Sequence, residues 1–193
     1  MVDYCGVLVL LGIRIICVGK LKERFYTDAA KEYIKRLSGY CKLEIIEIPE
    51  YRLPTGSAEG TQSTIHNSQF TIENMNANAN IPNTQVAIAL NKERVAIEAK
   101  IPDGAVCIAL CVEGREMDSP GLSGFLSDCA IHGASRLCFI IGGSFGLHEN
   151  IKNMANIRLS MSKMTFPHSL ARIMLLEQLY RAFNITEGGK YHK

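Results

Sequence analysis

The chain has 193 residues, of which 47% are hydrophobic and 21% charged, with a formal net charge of +2. That balance excludes an intrinsically disordered chain, and the length predicts one domain with one good core rather than several. The small net charge does not by itself mark a nucleic-acid binder. Six Lys/Arg against two Asp/Glu between Arg158 and Lys193 nevertheless leave the C-terminal block basic, fit either for phosphates or for a plainly solvated face.

The first twelve residues, MVDYCGVLVLLG, are apolar but carry Asp3 where a secretory leader carries Lys or Arg, and Arg14 interrupts the run well short of a membrane span. They read as an N-terminal extension leading into the first strand, and a cytoplasmic protein is expected. Ile13 to Val18 is a β-branched run stopped by Gly19, which predicts a buried strand. From Leu21 to Leu37 apolar residues recur at helical spacing up to Ser38-Gly39. Leu43 to Ile48 predicts a second strand, closed by Pro49. Residues 54 to 85 are rich in Thr, Ser, Asn and Gln without apolar period, and read as a polar insertion or mobile loop.

A short amphipathic helix is expected over about Val86 to Lys100. Ala105 to Val112 predicts a third strand, followed by a turn at Glu113-Gly114. A helix over Pro120 to His132 ends at Gly133, and Arg136 to Ile141 predicts a fourth strand. A short helix and a fifth strand near Ile157 to Met161 follow. The last helix opens with Pro167 in its first turn, and Leu170, Ile173, Met174, Glu177, Tyr180, Ala182 and Phe183 give it one broad apolar flank. Strands alternating with helices predict an α/β fold with a mostly parallel sheet and helices on both faces.

The seven cysteines show no Cys-x-x-Cys spacing, and no His/Cys cluster has ligand spacing. Free thiols and no metal are expected.

In open parallel sheets ligands sit beyond the carboxyl ends of the strands. Two loops fall there. Gly142-Gly143-Ser144-Phe145-Gly146 leaves the backbone open to close approach, yet it is not Gly-x-Gly-x-x-Gly and does not predict a dinucleotide site. Ser160 to His168 combines hydroxyls, thioethers and an aromatic ring ahead of a helix, a mixture suited to an adenine and a methionine tail. Each has a plain alternative: a tight turn for the first, a capping turn over the core for the second. His168 is either a proton shuttle or structural, and Arg172 faces phosphate or snorkels. The tail Gly188 to Lys193 is basic and aromatic; it is either frayed or orders over a nucleobase.

The segments Ile141 to Leu147, Leu159 to His168, Glu177-Gln178-Leu179-Tyr180-Arg181-Ala182, Tyr191-His192-Lys193 and the opening Val18-Gly19-Lys20-Leu21-Lys22 together resemble the ribosomal large subunit methyltransferase H family. The likeness spans roughly residues 13 to 53 and 88 to 193. It implies a SPOUT-class domain over residues 1–193 with a C-terminal trefoil knot, and a homodimer that binds S-adenosylmethionine at its interface. The implied reaction is methylation of N3 of a pseudouridine in helix 69 of large-subunit (23S) ribosomal RNA, on the assembled ribosome or large subunit. Carried over, the cofactor positions are Leu110, Gly142, Met161, Ser162, Lys163, Met164, Thr165 and Phe166. Arg181, Tyr191, His192 and Lys193 match positions used around the target base, with His192 the candidate proton acceptor. Two departures stand out: the N-terminal extension, and an insertion longer than the family's segment. Other readings are a SPOUT enzyme with a different RNA target, a non-catalytic ribosome-binding factor of the same fold, or another enzyme on a similar sheet.

Overall fold

The computed structural model describes residues 11–51 and 83–191. Its elements are β1 (Gly12–Val18), α1 (Arg24–Leu37), β2 (Lys42–Ile48), α2 (Asn83–Glu98), β3 (Val106–Glu116), α3 (Ser119–Ile131), β4 (Arg136–Ile141), α4 (Glu149–Met154), β5 (Ile157–Ser160) and α5 (His168–Thr186). The five strands form one sheet in the order β2-β1-β4-β3-β5, and every pairing is parallel.

Alternation along each strand divides the core in two. Ile13, Ile15, Cys17, Leu137, Phe139 and Ile141 point to the face covered by α1, α3 and α5. Ile16, Val18, Cys138 and Ile140 point to the opposite face, with Ile97 of α2 and Ile151 of α4. Consecutive strand side chains leave on opposite sides, so a sheet covered twice demands the unbroken apolar runs read in the sequence. Arg14, the charge inside the first run, is accommodated at the register position of Glu44. Its guanidinium donates to the Glu44 carboxylate at 2.7 Å and to the Lys100 carbonyl, also at 2.7 Å.

The differences from expectation have local causes. β3 continues to Glu116, so the turn expected at Glu113-Gly114 is a bulge: pairing with β5 shifts register between Leu110 and Arg115. Gly114 lies so close to β5 that a Cβ there would come within 2.7 Å of the Arg158 and Leu159 carbonyl carbons. α1 begins at Arg24 rather than Leu21, although Leu21 still packs on the core. α2 begins at Asn83, so the last three residues of the expected polar insertion are helical; the rest of the insertion to residue 82 lies outside the described residues, as does the extension to residue 10.

Pro167 caps α5 rather than lying within it. The flank expected for α5 is also corrected. Arg172, Leu175, Leu176, Leu179, Ala182 and Phe183 are buried, whereas Leu170, Ile173, Met174, Glu177 and Tyr180 are half-buried. The helix lies in the groove between α1 and α3, so its contact arc is wider and rotated relative to a simple amphipathic stripe. The six described cysteines are free thiols, and burial pushes Cys17 and Cys41 up to about 12. Among the described residues no helix is long and apolar enough to cross a membrane, and no group of His, Cys, Asp and Glu is arranged to hold a metal ion.

Candidate functional site

The bulged middle of β3 and the carboxyl ends of β4 and β5 open onto a cleft of about 770 Å³. Small-molecule sites occupy roughly 300–1,000 Å³. The first wall is the loop after β4. Gly146 adopts φ +78° and donates its N–H to the Gly143 carbonyl at 3.0 Å, closing a tight reversal. A Cβ on Gly142 would lie 2.3 Å from the Gly146 carbonyl oxygen, so only glycine fits there. Glu50, just past β2, anchors the loop from behind: its carboxylate accepts from the Ser144 N–H at 3.0 Å and the Ser144 hydroxyl at 2.5 Å. The Ser144 hydroxyl is the main reason Glu50 titrates below the ordinary carboxylate range, against the effect of its partial burial.

The second wall follows β5. The buried Ser160 donates its hydroxyl to the Ser162 carbonyl at 2.9 Å, and the Ser162 hydroxyl accepts from the Met164 N–H at 3.1 Å. These bonds turn the chain away from the sheet and bring Met161, Ser162, Met164, Thr165 and Phe166 around the opening. Leu110 closes the cleft from the middle of β3, just ahead of its bulge. Seven of the eight residues expected for the cofactor therefore line one cavity. The eighth, Lys163, is exposed and does not line it.

Among the described residues the walls offer apolar side chains beside backbone, with no cluster of cations of the kind that holds a diphosphate. That donor set fits an adenine and a thioether-like chain. Lining residues that sequence reasoning passed over are Cys111 to Glu113, Lys152 and Ala171. The first three belong to the β3 bulge, which the apparent turn concealed. Lys152 reaches them by pairing with Glu113, which holds that carboxyl low and raises the lysine.

The tail residues lie elsewhere. Gly188 takes φ +69° and the chain folds back on α5, where the Tyr191 N–H donates to the Asn184 side-chain oxygen at 3.0 Å. The Tyr191 hydroxyl donates to Glu177 at 3.3 Å, and Arg181 donates its Nε–H to the same carboxylate at 2.9 Å while covering the Tyr191 ring at 4.7 Å. Burial, with Tyr33 and Glu177 alongside, pushes the Tyr191 phenol up to about 12, so it stays protonated at neutral pH. His192 and Lys193 lie outside the described residues.

Neither Arg181 nor Tyr191 lines the cleft. Ala171, which does, precedes Arg181 by ten residues, about 15 Å along the helix axis. One chain thus brings the expected cofactor residues together and holds the described part of the expected target-base group apart from them. Arg172 reaches neither group. It is 1% exposed and donates to Glu47 at 2.6 Å and to the Gly19 carbonyl at 2.8 Å, which excludes both a phosphate contact and snorkelling.

A family model described as predicted SPOUT methyltransferase matches residues 11–192. A protein named ribosomal RNA large subunit methyltransferase H from Clostridium botulinum (strain Eklund 17B / Type B) is 42% identical over 95% of this chain and 100% of its own length. The protein of the same name from Clostridioides difficile (strain 630) is 40% identical over the same shares of both chains. Among solved structures, a probable methyltransferase from Bordetella pertussis Tohama I is 13% identical, covers 93% of this chain and 98% of its own, and has a TM-score of 0.48, a likeness too slight to argue from.

Proposed function

The chain belongs to the SPOUT methyltransferase family, and on that premise we propose that it methylates N3 of a pseudouridine in helix 69 of large-subunit ribosomal RNA, using S-adenosylmethionine. The observation that carries the reading is the convergence of Leu110, Gly142, Met161, Ser162, Met164, Thr165 and Phe166 on one cleft. The relatives named for an rRNA methyltransferase support the RNA class of substrate.

Bound S-adenosylmethionine supplies an electrophilic methyl group on a sulfonium sulfur. The work left to the chain is to hold, orient and dry the reacting atoms. The 142–146 and 161–166 loops would hold the adenine and the amino-acid tail, and Leu110, Met161 and Phe166 would exclude water from the cleft. Methylation at N3 would require the chain to take up or pass on the N3–H proton. His192 would accept it, directly or through an ordered water, or else it would pass to solvent water while Arg181 or Lys193 stabilises the imide anion. Tyr191 stacks beside the base rather than acting as a base itself.

A symmetric homodimer reconciles this chemistry with a cleft and a tail group separated along α5, because a second copy brings its tail to the first copy's cleft. The same reading takes residues 1–193 as one domain, its C-terminal segment threaded as a trefoil knot, working in the cytoplasm on the assembled ribosome or large subunit.

The test is transfer of labelled methyl groups to ribosomes that lack the modification, with the product nucleotide mapped. Label at N3 of a helix 69 pseudouridine is expected. Label at another nucleotide refutes the substrate, and absence of transfer despite S-adenosylhomocysteine raising Tm refutes the enzyme. A pH–rate profile of His192→Ala and Arg181→Ala separates the two proton routes: full turnover in His192→Ala eliminates the general base.

A further inference from the structure

The motif Gly19-Lys20-Leu21-Lys22 plays no part in the cleft, yet it is held with care. Gly19 adopts φ +89° and donates its N–H to the Ile48 carbonyl at 2.8 Å, while its own carbonyl accepts from the buried Arg172. The Leu21 N–H donates to Glu47 at 3.4 Å, and that carboxylate is itself fixed by Arg172 at 2.6 Å. A buried guanidinium at the centre of the fold thus fixes a surface turn whose two lysines are both exposed.

The turn borders a second groove of about 330 Å³, lined by Lys20, Lys22, Glu23, Pro49, Glu50 and His168 among others. His168 also lines the cleft, so the groove and the methyl-donor site share a wall. A Cβ on Gly19 would come 2.8 Å from the His168 ring, which shows how closely the turn and that wall pack. The acids nearby are mostly committed: Glu47 to Arg172, and Glu50 to Ser144 while also feeling Lys22. Lys20 and Lys22 form no ion pair within 4.0 Å among the described residues, and Arg24 meets Asp28 only at 3.6 Å. Among the described residues that line the groove, Glu23 is the acid left without an ion pair or a side-chain hydrogen bond against these three cations. Directly after them, at the first turn of α1, the Phe25 ring is 64% exposed, 4.3 Å from the ring of Tyr26.

Exposed cations on a fixed turn, an exposed ring and a shared wall with the donor site suit a ribose–phosphate chain better than a small anion, which would have no use for the ring. We infer that the groove at Lys20, Lys22 and His168 is where the RNA backbone flanking the target nucleotide runs, with the two lysines on successive phosphates and Phe25 under an unpaired base. This rests on the proposed rRNA methylation. It adds a substrate-positioning surface from the amino-terminal half of the chain.

The experiment uses the full-length protein and ribosomes as above. The double variant Lys20→Ala/Lys22→Ala should raise KM for ribosomes about tenfold and flatten the dependence of log kcat/KM on log salt by roughly 1.5, the value for two lost single-strand phosphate contacts. Affinity for S-adenosylmethionine and Tm should stay unchanged. Phe25→Ala should raise KM about fivefold without altering the salt slope, and Lys42→Ala, at the opposite end of the sheet, should do nothing. A photo-crosslinker at position 22 should label rRNA. An unchanged KM and salt slope in the double variant, or a crosslink to ribosomal protein alone, overturns the inference. Failure of the wild-type chain to methylate ribosomes instead overturns the function on which it rests.

Discussion

The two ends of α5 present opposite kinds of construction. At its amino-terminal end the cleft is walled by backbone: glycines reverse the chain after β4, hydroxyls turn it after β5, and Glu50 pins the first loop from across the sheet. At its carboxyl-terminal end the tail is held by side chains on one another, with Glu177, Arg181, Tyr180 and Tyr191 in mutual contact. A backbone wall has one arrangement, because a Cβ or a register shift breaks it. A cluster of half-buried side chains on a chain terminus exchanges partners at low cost. The first suits a ligand of fixed shape, and the second a surface whose contacts can rearrange.

That contrast can be broken by substitution. The largest effect is expected at the buried base of the cleft end. Arg172→Ala removes the guanidinium from Glu47, which keeps the Leu21 N–H, and from the Gly19 carbonyl, and should cost up to about 3 kcal/mol, since Glu47 is partly exposed and can recover water. Denaturant unfolding measures it, and a loss below about 1 kcal/mol contradicts the anchoring role. Gly142→Ala forces a Cβ against the Gly146 carbonyl and should weaken S-adenosylmethionine binding on the order of 100-fold, as expected for an ångström-scale displacement. Calorimetric titration reads it, and wild-type affinity would show that this loop is not a wall of the donor site.

Ser144→Ala removes the main cause of Glu50's lowered pKa. A carboxyl whose folded pKa is depressed contributes stability fully above its unfolded pKa, near 4.5, and loses it as pH falls through the folded value. The variant should therefore be less stable near pH 6 and lose less on acidification between about pH 5 and pH 3. A stability difference that does not narrow with acid excludes this origin. The smallest effect belongs to the tail: Tyr191→Phe deletes the 3.3 Å hydrogen bond to Glu177 and the hydroxyl's interaction with Tyr33 at a half-exposed site, and should change stability by less than about 1 kcal/mol. A loss of several times that would mean the tail is built as rigidly as the cleft.

Much of this was legible in the chain itself. Unbroken apolar runs such as Arg136 to Ile141 gave β4 to the residue, because a strand buried on both faces leaves no room for polar side chains. Glycine at 142 and 146 and the hydroxyls at 160 and 162 announced two loops at the carboxyl edge. The β3 bulge was hidden because Glu113-Gly114 has the composition of a turn, and only the adjacent β5 backbone keeps it extended. The buried flank of α5 was misjudged because Leu175 and Leu179 owe their burial to α1, α3 and the sheet, which helical spacing alone does not specify.

Local chemistry therefore determined most of the elements and the two loops, while the family rests on the likeness of whole motifs to known relatives. The strand order β2-β1-β4-β3-β5 and the meeting of residues 110, 142 and 161–166 were decided by tertiary structure, as was the separation of Arg181 and Tyr191 from that meeting. The reason is physical. Hydrophobic period and turn propensity act over a few residues, whereas strand pairing is chosen among distant segments that satisfy the same local rules, and only their simultaneous packing selects one.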